Sequence, residues 1–222
     1  MKRIQLPLTD DVIKELHAGD SVLISGSVIT GRDAAHKRLY ELIQNGEPLP
    51  VDIQGEVIYY VGPAPAKPGH VVGPAGPTSS YRMDKYTPAL LDRGLKGMIG
   101  KGARNSEVVD SMIKNGAVYF AAIGGAAALI SKSIKKAEIL AYEDLGTEAI
   151  YRFEVEDFPA IVVIDSKGGM LPQSIRGVAR SALIADQTFY PRDFRSASGV
   201  NSRSRSLRSA LIADQTFYPR DF

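Results

Sequence analysis

The sequence contains no cysteine, and this absence limits both its covalent and its metal chemistry. Without cysteine the chain forms no disulfides, which fits a reducing compartment. It also has no thiolate to offer to zinc or to an iron–sulfur cluster. Any such cluster must therefore be held by another chain.

Long apolar runs are also missing. The opening stretch, MKRIQLPLTDDVIKEL, carries a charge every few positions and contains no apolar stretch of signal-peptide length. No later segment approaches the roughly 18 uninterrupted apolar residues of a membrane-spanning helix. We therefore expect a soluble, cytoplasmic protein with no membrane partner.

An excess of positive charge over the whole chain is absent as well. The formal net charge is +2, but residues 171–222 hold eight arginines, four aspartates and neither lysine nor glutamate. Residues 1–170 consequently carry a net charge near −2. Proteins whose main ligand is nucleic acid usually present a basic field, so no nucleic-acid partner is expected.

Residues 171–222 differ from the rest of the chain. The segment Arg180–Phe194, RSALIADQTFYPRDF, recurs letter for letter as Arg208–Phe222, whereas natural structural repeats drift and occur in several copies. A Ser/Arg-rich stretch that is typical of a linker separates the two copies. We interpret residues 171–222 as a duplicated tail that is an artefact or disordered, with an Arg-rich arm for RNA or acidic partners as the alternative. The folded domain is predicted to span residues 1–170.

Within residues 1–170, β-rich and helical patterns alternate. The alternation, which ends in a cluster of strands, predicts one α/β domain with a mixed sheet. The predicted helices are Asp10–Leu16, Ala34–Asn45, Asp84–Arg93, Ser106–Lys114 and Gly124–Lys132. The predicted strands are Ser21–Ser25, Gly55–Val61, Gly97–Gly100, Ala117–Ile123, Glu138–Tyr142, Ala149–Val155 and Ala160–Asp165. The predicted helix caps are Thr9, Gly46 and Gly116.

The first candidate site lies in GSVITGRDAAHKRL, residues 26–39, where a strand and a loop lead into a helix. Helix N-termini carry unpaired N–H groups and partial positive charge, so Arg32 beside one makes an anion site suited to a carboxylate. Asp33 is a candidate for catalysis, and it is at least as consistent with capping of the helix. His36 lies one turn after Arg32, and we interpret it first as a packed, hydrogen-bonded structural residue.

The second candidate site is VVGPAGPTSSYRMDKY, residues 71–86, which includes the end of a loop rich in glycine and proline at residues 62–80. Its glycines permit close approach of the backbone to an anion, and Thr78 then offers a hydroxyl. Arg82 follows at the start of a predicted helix. The alternative is a rigid surface loop that ends in a capping serine.

Lys101 stands between two glycines at a third predicted strand-to-helix junction. The segment is not a phosphate-binding P-loop, because it lacks both the upstream glycine spacing and a Ser or Thr directly after the lysine. Arg32, Arg82 and Lys101 thus form a pattern of three cations at such junctions, and their convergence would suit a dicarboxylate. The three histidines show no ligand spacing, so no metal site is predicted.

Four motifs carry a resemblance to a known family. TGRDAAHKRL, YYVGPAPAKPG, VVGPAGPTSSYRMD and MIGKG stand in this order, and residues 1–170 thereby resemble the β part of class I fumarate hydratases. The L(+)-tartrate dehydratase β subunit is similar, but there we expect a cysteine beside the RD motif and a glutamate in place of Asp84. The resemblance implies a swivelling β/β/α domain with its active site at the junction with an α subunit or domain.

The reaction that the resemblance implies is the reversible addition of water to fumarate, which gives L-malate. It implies a [4Fe–4S] cluster that is held by three cysteines of the partner α subunit. This chain would provide no ligand to the cluster. The complex would be a hetero-oligomer, and a homodimer of the chain by itself is the alternative. A non-catalytic anion-binding or assembly module of the same fold is the rival interpretation.

The resemblance also implies roles for individual residues. Arg32 and Arg82 would clamp the substrate carboxylates, and Lys101 would add a further cationic contact. Thr78 would be the base, helped by nearby cations that favour its alkoxide, although a carboxylate of the partner could share this role. Asp33 and His36 would contact these binding residues and would not touch the substrate themselves.

Overall fold

The computed structural model describes residues 1–122 and 127–171, without the side chains of Ala128 and Leu129. The strands in this part of the chain are β1 (Lys2–Gln5), β2 (Ser21–Thr30), β3 (Val57–Tyr59), β4 (Gly97–Gly100), β5 (Val118–Ala122), β6 (Ile134–Ala141) and β7 (Ile150–Ile164). The α-helices are α1 (Asp10–Glu15), α2 (Asp33–Asn45), α3 (Thr87–Asp92), α4 (Ser106–Asn115) and α5 (Ala127–Ser133). Ser80–Met83 forms the first 3-10 helix, and Glu143–Glu148 forms the second.

These strands belong to one mixed sheet in the order β1-β2-β3-β4-β5-β7-β6. The first five strands pair in parallel, whereas β7 runs antiparallel to β5 and β6. β7 also pairs antiparallel with β2, so β2, β3, β4, β5 and β7 close into a five-stranded, barrel-like sheet. The predicted α/β class and the predicted mixed sheet are confirmed.

β2 is twice as long as predicted because a glycine that was expected to end the strand forms a bulge instead. The ladder with β7 shifts register between Ile24 and Gly26 and then continues to the end of β2. Gly26 has a φ of +118°, and a Cβ atom at this position would lie 2.9 Å from Leu6 Cβ. Only glycine therefore fits this bulge without a shift of the neighbouring chain.

β7 joins two strands that were predicted separately, at 149–155 and 160–165. The intervening Asp157 has a positive φ of 49°, which is the local irregularity that the sequence pattern detects. The ladder with β2 nevertheless continues on both sides of it. The Asp157 amide donates to Ser25 Oγ at 3.0 Å, which ties the bend to β2.

Alternate residues of the central strands belong to two different cores. Val28 and Phe120 contribute to one core, whereas their chain neighbours Ile29 and Tyr119 contribute to the other. This alternation follows from the two-residue period of a strand. The helical side of the second core is formed by Leu39, Leu90, Leu91, Val108 and Met112.

The predicted helix caps are confirmed. Thr9 Oγ1 accepts a hydrogen bond from the Val12 amide at 3.3 Å at the start of α1. Gly46 and Gly116 end α2 and α4 in the left-handed conformation, with φ of 71° and 62°.

The helix predicted at Asp84–Arg93 is wrong in its first part. A 3-10 helix precedes it, and α3 begins only at Thr87. Pro88 explains the late start, because proline fits the first turn of a helix and lacks the N–H that an internal position needs.

Part of the prediction falls on residues that the structure does not describe. Ile123, Gly124 and Gly125 lie outside the described residues, as does the predicted tail after Leu171. The domain boundary at residue 170 therefore stays a prediction. Among the described helices, none has both the length and the apolar character that crossing a bilayer requires.

Candidate functional site

The carboxyl ends of the parallel strands β2, β3 and β4 lie side by side at one edge of the sheet. Arg32 follows β2 by two residues, and Lys101 follows β4 directly. The Thr78 amide donates to the carbonyl of Tyr60, one residue past β3, at 2.7 Å. The structure thus brings Arg32, Thr78 and Lys101 to the edge where parallel sheets commonly bind ligands.

Arg32 is held by its neighbours, and its side chain is 24% exposed. Its Nη2 lies 3.4 Å from Glu148 Oε1, and its Nε lies 4.0 Å from Asp33 Oδ2. Gly62 also packs against the side chain, since a Cβ atom there would lie 2.8 Å from Arg32 Nη1. Nε is buried and forms no hydrogen bond within the described residues. Because a buried Nε is out of a ligand's reach, the Arg32 donor left for a ligand is Nη1, which forms no hydrogen bond with a described residue.

Arg82 lies in the first 3-10 helix and is paired with Asp33. Arg82 Nε donates to Asp33 Oδ1 at 2.8 Å, and Nη2 donates to Oδ2 at 2.5 Å, which makes a bidentate pair. Asp33 is the first residue of α2, and its carboxylate joins this helix to the first 3-10 helix. The alternative that Asp33 caps α2 is wrong, because Arg32 occupies the N-cap position and no side-chain hydrogen bond is made from it.

His36 is fully buried, as expected for a structural histidine. Its Nδ1 lies 2.9 Å from the Arg32 carbonyl oxygen, and because a carbonyl only accepts, Nδ1 carries the hydrogen. Burial lowers the pKa of His36 to about 4, and the nearby Arg104 guanidinium acts in the same direction. The imidazole is therefore neutral near pH 7, and its ring packs edge-on against Tyr60.

The loop of residues 62–80 is anchored at its base by hydrogen bonds. Tyr59 OH donates to the Ala75 carbonyl at 2.6 Å, and the Gly73 amide donates to the Ala64 carbonyl at 3.0 Å. A Cβ atom at Gly73 would lie 2.6 Å from that same carbonyl oxygen, so a side chain does not fit there. The loop backbone is thereby fixed where it returns Thr78 to the end of β3. The Thr78 hydroxyl makes no hydrogen bond to the described part of the chain.

Ser80 joins the end of this loop to Lys101. Its Oγ accepts from the Lys101 amide at 3.1 Å and lies 2.9 Å from Tyr119 OH. The Ser80 amide in turn donates to the Lys101 carbonyl at 2.9 Å. The backbone of Lys101 is therefore fixed, while its exposed ammonium forms no ion pair with any described residue.

Arg104 is not among the residues predicted from the sequence, and its side chain is fully buried. Arg104 Nε donates to Asp84 Oδ1 at 2.6 Å, and Nη2 donates to Thr87 Oγ1 at 2.7 Å. Its guanidinium also lies 5.3 Å from the centre of the Tyr60 ring. A signal was present in the sequence, because Arg104 belongs to the same Gly-Lys-Gly-Ala-Arg run as Lys101.

Glu148 was missed as well, and no local motif marks it. Its partners Arg32 and Ala34 lie far away in the sequence, Ala34 at a separation of 114 residues. Only the folded chain brings the Glu148 carboxylate to the start of α2.

The donors at this edge suit an anion better than a metal ion. Among the described residues, no group of three His, Cys, Asp or Glu side chains is placed to hold a metal. The groups near these strand ends are guanidinium, ammonium and hydroxyl, and the two carboxylates among them, Asp33 and Glu148, are paired with Arg82 and Arg32. Such a set recognises carboxylates through charge-assisted hydrogen bonds.

Comparison with known proteins agrees with this geometry. The family model described as Fumarase C-terminus matches residues 1–175. Fumarate hydratase 2 of Leishmania major is 41% identical over 158 residues, which are 70% of this chain and 28% of that protein. The aerobic class I fumarate hydratase of Escherichia coli K12 is 44% identical over 155 residues, 69% of this chain and 28% of that protein.

A protein from Methanocaldococcus jannaschii named as an L(+)-tartrate dehydratase subunit beta is also similar. It is 34% identical over 174 residues, which are 76% of this chain and 89% of that protein. This chain therefore spans less than a third of the two fumarate hydratases and most of the length of the subunit.

Proposed function

This chain belongs to the Fumarase C-terminus family, and from that premise we propose that it is the β-type part of a hydro-lyase that converts fumarate reversibly to L-malate. The observation that carries the proposal is the order of three residues along the sheet edge. Thr78 lies at the end of β3, between Arg32 after β2 and Lys101 after β4. Two cations suit the two carboxylates of a dicarboxylate, and a hydroxyl between them suits the transfer of one proton to or from the substrate.

Arg32 and Lys101 are proposed to hold the two carboxylates of the substrate. Each presents a donor that the described residues leave unused, Arg32 through Nη1 and Lys101 through its ammonium. Arg82 uses Nε and Nη2 on Asp33. Its Nη1 is then the group for a carboxylate, so Arg82 is proposed to bind substrate while Asp33 fixes its orientation.

Thr78 is proposed to take the proton from the carbon that loses it. A threonine hydroxyl is a poor acid, so this role needs surroundings that favour the alkoxide. Arg32 and Lys101, on the neighbouring strand ends, supply positive charge of that kind. A carboxylate from a partner subunit that shares the role is the alternative.

The [4Fe–4S] cluster that the resemblance implies does not fit the residues of this chain, because the sequence contains no cysteine. We assign the cluster, and the Lewis-acid chemistry that it supplies, to a cysteine-bearing α subunit. This chain and that subunit would form a hetero-oligomer. The contribution of this chain is to bind and orient the substrate and to move a proton at Thr78.

The swivelling character of the domain and its cytoplasmic location belong to the same proposal. The barrel-like sheet and the helices that pack against it share a hydrophobic core. A domain that turns against a partner as a unit needs such a core. The cysteine-free composition supports a reducing compartment.

A tartrate dehydratase β subunit is the second candidate function. It is favoured by the match over 89% of the protein that bears this name, which is the size expected of a separate subunit. Asp84 and the absence of a cysteine beside Arg32 and Asp33 favour the fumarate assignment. Rates of the reconstituted complex with fumarate and with L(+)-tartrate distinguish the two.

The test of the proposed site is Thr78→Ala in the complex reconstituted with the cysteine-bearing subunit. Removal of the base should lower kcat by about 10²- to 10⁴-fold and leave KM nearly unchanged, because the hydroxyl acts in the transition state. Ser79→Ala, which removes the neighbouring hydroxyl, is the matched control and should retain activity. Steady-state rates of fumarate hydration measure both constants.

Arg32→Ala should behave differently from Thr78→Ala. It removes a charge-assisted contact to a carboxylate and should raise KM by about 10- to 100-fold while lowering the rate as well. If Thr78→Ala is kinetically silent and Arg32→Ala still abolishes binding, this edge of the sheet only binds carboxylates and the base lies on the partner. If neither change alters catalysis, the assignment of this edge as the site is wrong.

A further inference from the structure

Glu148, the last residue of the second 3-10 helix, contacts both Arg32 and the helix that follows it. Its Oε1 lies 3.4 Å from Arg32 Nη2. Its Oε2 accepts from the Ala34 amide at 3.1 Å, at the start of α2, where negative charge is favoured. The Glu148 side chain is 25% exposed, so water screens this contact less than an ordinary surface ion pair.

The segment that carries Glu148 is tied to α2 at a second point. Arg38 donates to both carboxylate oxygens of Asp144, at 2.9 and 2.6 Å. The same guanidinium lies 5.0 Å from the centre of the Tyr142 ring. Two anchors therefore hold the second 3-10 helix on α2, and of these the contact with the Ala34 amide is the one that fixes the Glu148 carboxylate beside Arg32.

The rest of the Arg32 side chain is confined as well. A Cβ atom at Gly62 would lie 3.0 Å from Arg32 Cδ and 3.1 Å from the Thr147 carbonyl oxygen, so the side chain runs through a narrow space. Within that space, Nη2 is taken by Glu148 and Nε has no hydrogen-bond partner among the described residues. The pairing with Glu148 thus occupies the edge formed by Nε and Nη2 and leaves Nη1, which forms no hydrogen bond with a described residue, as the terminal nitrogen for a ligand.

We infer that Glu148 is a positioning residue, which holds Arg32 by Nη2 and so keeps the remaining N–H donors in place for a substrate carboxylate. The inference rests on the proposed function of Arg32 in binding that carboxylate. It assigns Glu148 no contact with the substrate. The function of the second 3-10 helix is then to position the Glu148 carboxylate at the start of α2.

Two other roles for Glu148 predict different changes in KM when its charge is removed. If Glu148 acted only as a negative charge near an anion site, its neutralisation would attract a dianionic substrate more strongly and KM would fall. If it only fastened the second 3-10 helix to α2, KM would not change and stability alone would fall. A positioning role is the one that predicts a rise in KM on loss of the charge.

The experiment compares Glu148→Gln with Asp144→Asn in the complex with the cysteine-bearing subunit. Glutamine keeps the shape and one acceptor oxygen for Ala34, and it loses the charge that pairs with Arg32. We expect KM for fumarate to rise about tenfold, as for the loss of one charge-assisted contact, and kcat to change less. Asp144→Asn breaks the other anchor of the same segment and should leave KM unchanged. A KM that falls or stays constant in Glu148→Gln overturns the inference.

A second measurement is independent of activity and uses the full chain alone. The Nε–Hε signals of arginine side chains are recorded by NMR on ¹⁵N-labelled protein, with the Arg32 signal assigned by its loss in Arg32→Lys. Glu148→Gln should shift the Arg32 signal, and Asp144→Asn should leave it in place. An Arg32 signal that Glu148→Gln does not move overturns the inference. A wild-type complex without hydratase activity instead overturns the proposed function, so the two failures are distinguishable.

Discussion

Burial sets the charge state of His36. The imidazole is fully enclosed and donates through Nδ1 to the Arg32 carbonyl, while Nε2 has no hydrogen-bond partner among the described residues. Burial disfavours the protonated ring and lowers the pKa of His36 from 6.5 to about 4, and the nearby positive charge of Arg104 acts in the same direction. The hydrogen bond from His36 Nδ1 also fixes the carbonyl group of Arg32. The charge state of His36 therefore affects the position of Arg32 as well as stability.

This lowered pKa predicts a loss of stability in mild acid. The unfolded chain takes up a proton at this residue below about pH 6.5, whereas the folded chain resists until about pH 4. His36 therefore makes its full contribution to stability above pH 6.5. As the pH falls from 6.5 to 4, the free energy of unfolding decreases by about 3 kcal/mol because of this residue. Urea unfolding of the chain between pH 7 and 4 measures this slope.

His36→Gln should flatten the slope, because glutamine does not titrate. His17→Gln is the control, since His17 is an exposed histidine whose ring lies 3.1 Å from the backbone carbonyl oxygen of Glu15. His17→Gln also removes one histidine but keeps His36, so it should retain most of the slope of the wild type. An equal slope in wild type and His36→Gln would contradict the account.

At the scale of elements, the contact between β4 and the loop that ends at Ser80 decides where Lys101 and Thr78 lie. A Cβ atom at Gly100 would collide with Ser80 Oγ and would lie 2.9 Å from Tyr60 Cδ2. The absence of a side chain at Gly100 is therefore what allows the loop to pass so close to the strand.

Gly100→Ala should lower the free energy of unfolding by about 1–3 kcal/mol, the usual cost of overpacking. The urea midpoint of the full chain measures this loss. Ser80→Ala removes the oxygen that the new methyl group would meet, so the double variant should lose less stability than the sum of the two single variants. A Gly100→Ala protein with an unchanged midpoint would show that the loop does not pack as described.

Local patterns were sufficient to predict much of the secondary structure. The cap at Thr9 and the left-handed glycines Gly46 and Gly116 are short-range features, and each was predicted correctly. The bounds of the strand Gly97–Gly100 were also predicted correctly, because glycine flanks a buried apolar pair on both sides.

Features that depend on distant partners could not be predicted. The union of two predicted strands in β7 depends on its ladder with β2, and no local pattern carries that information. The Arg82–Asp33 pair joins residues 49 positions apart. The sequence therefore indicated candidate residues that the fold brings to one edge of the sheet, whereas the partners of Arg32 and Arg82, namely Glu148 and Asp33, required the fold.

At the scale of the whole molecule, the family match and the sequence repeat separate the same two parts of the chain. The match covers residues 1–175 and ends before the duplicated segment begins. We predict that deletion of residues 177–222 leaves both folding and binding of the partner subunit intact. The melting temperatures of the full and shortened chains, together with co-purification with the partner, measure this. A large fall in melting temperature on deletion would show that these residues belong to the folded structure.

The proposed function divides the work between two chains, and a cationic, hydroxyl-bearing candidate site in a chain without cysteine supports this proposal. The most direct test is an anaerobic fumarate hydration assay on this chain alone, on its cysteine-bearing partner alone, and on the two together with iron and sulfide. We predict that neither chain alone forms L-malate and that the mixture does. Hydration of fumarate by this chain alone, accompanied by iron-dependent visible absorbance, would contradict the account.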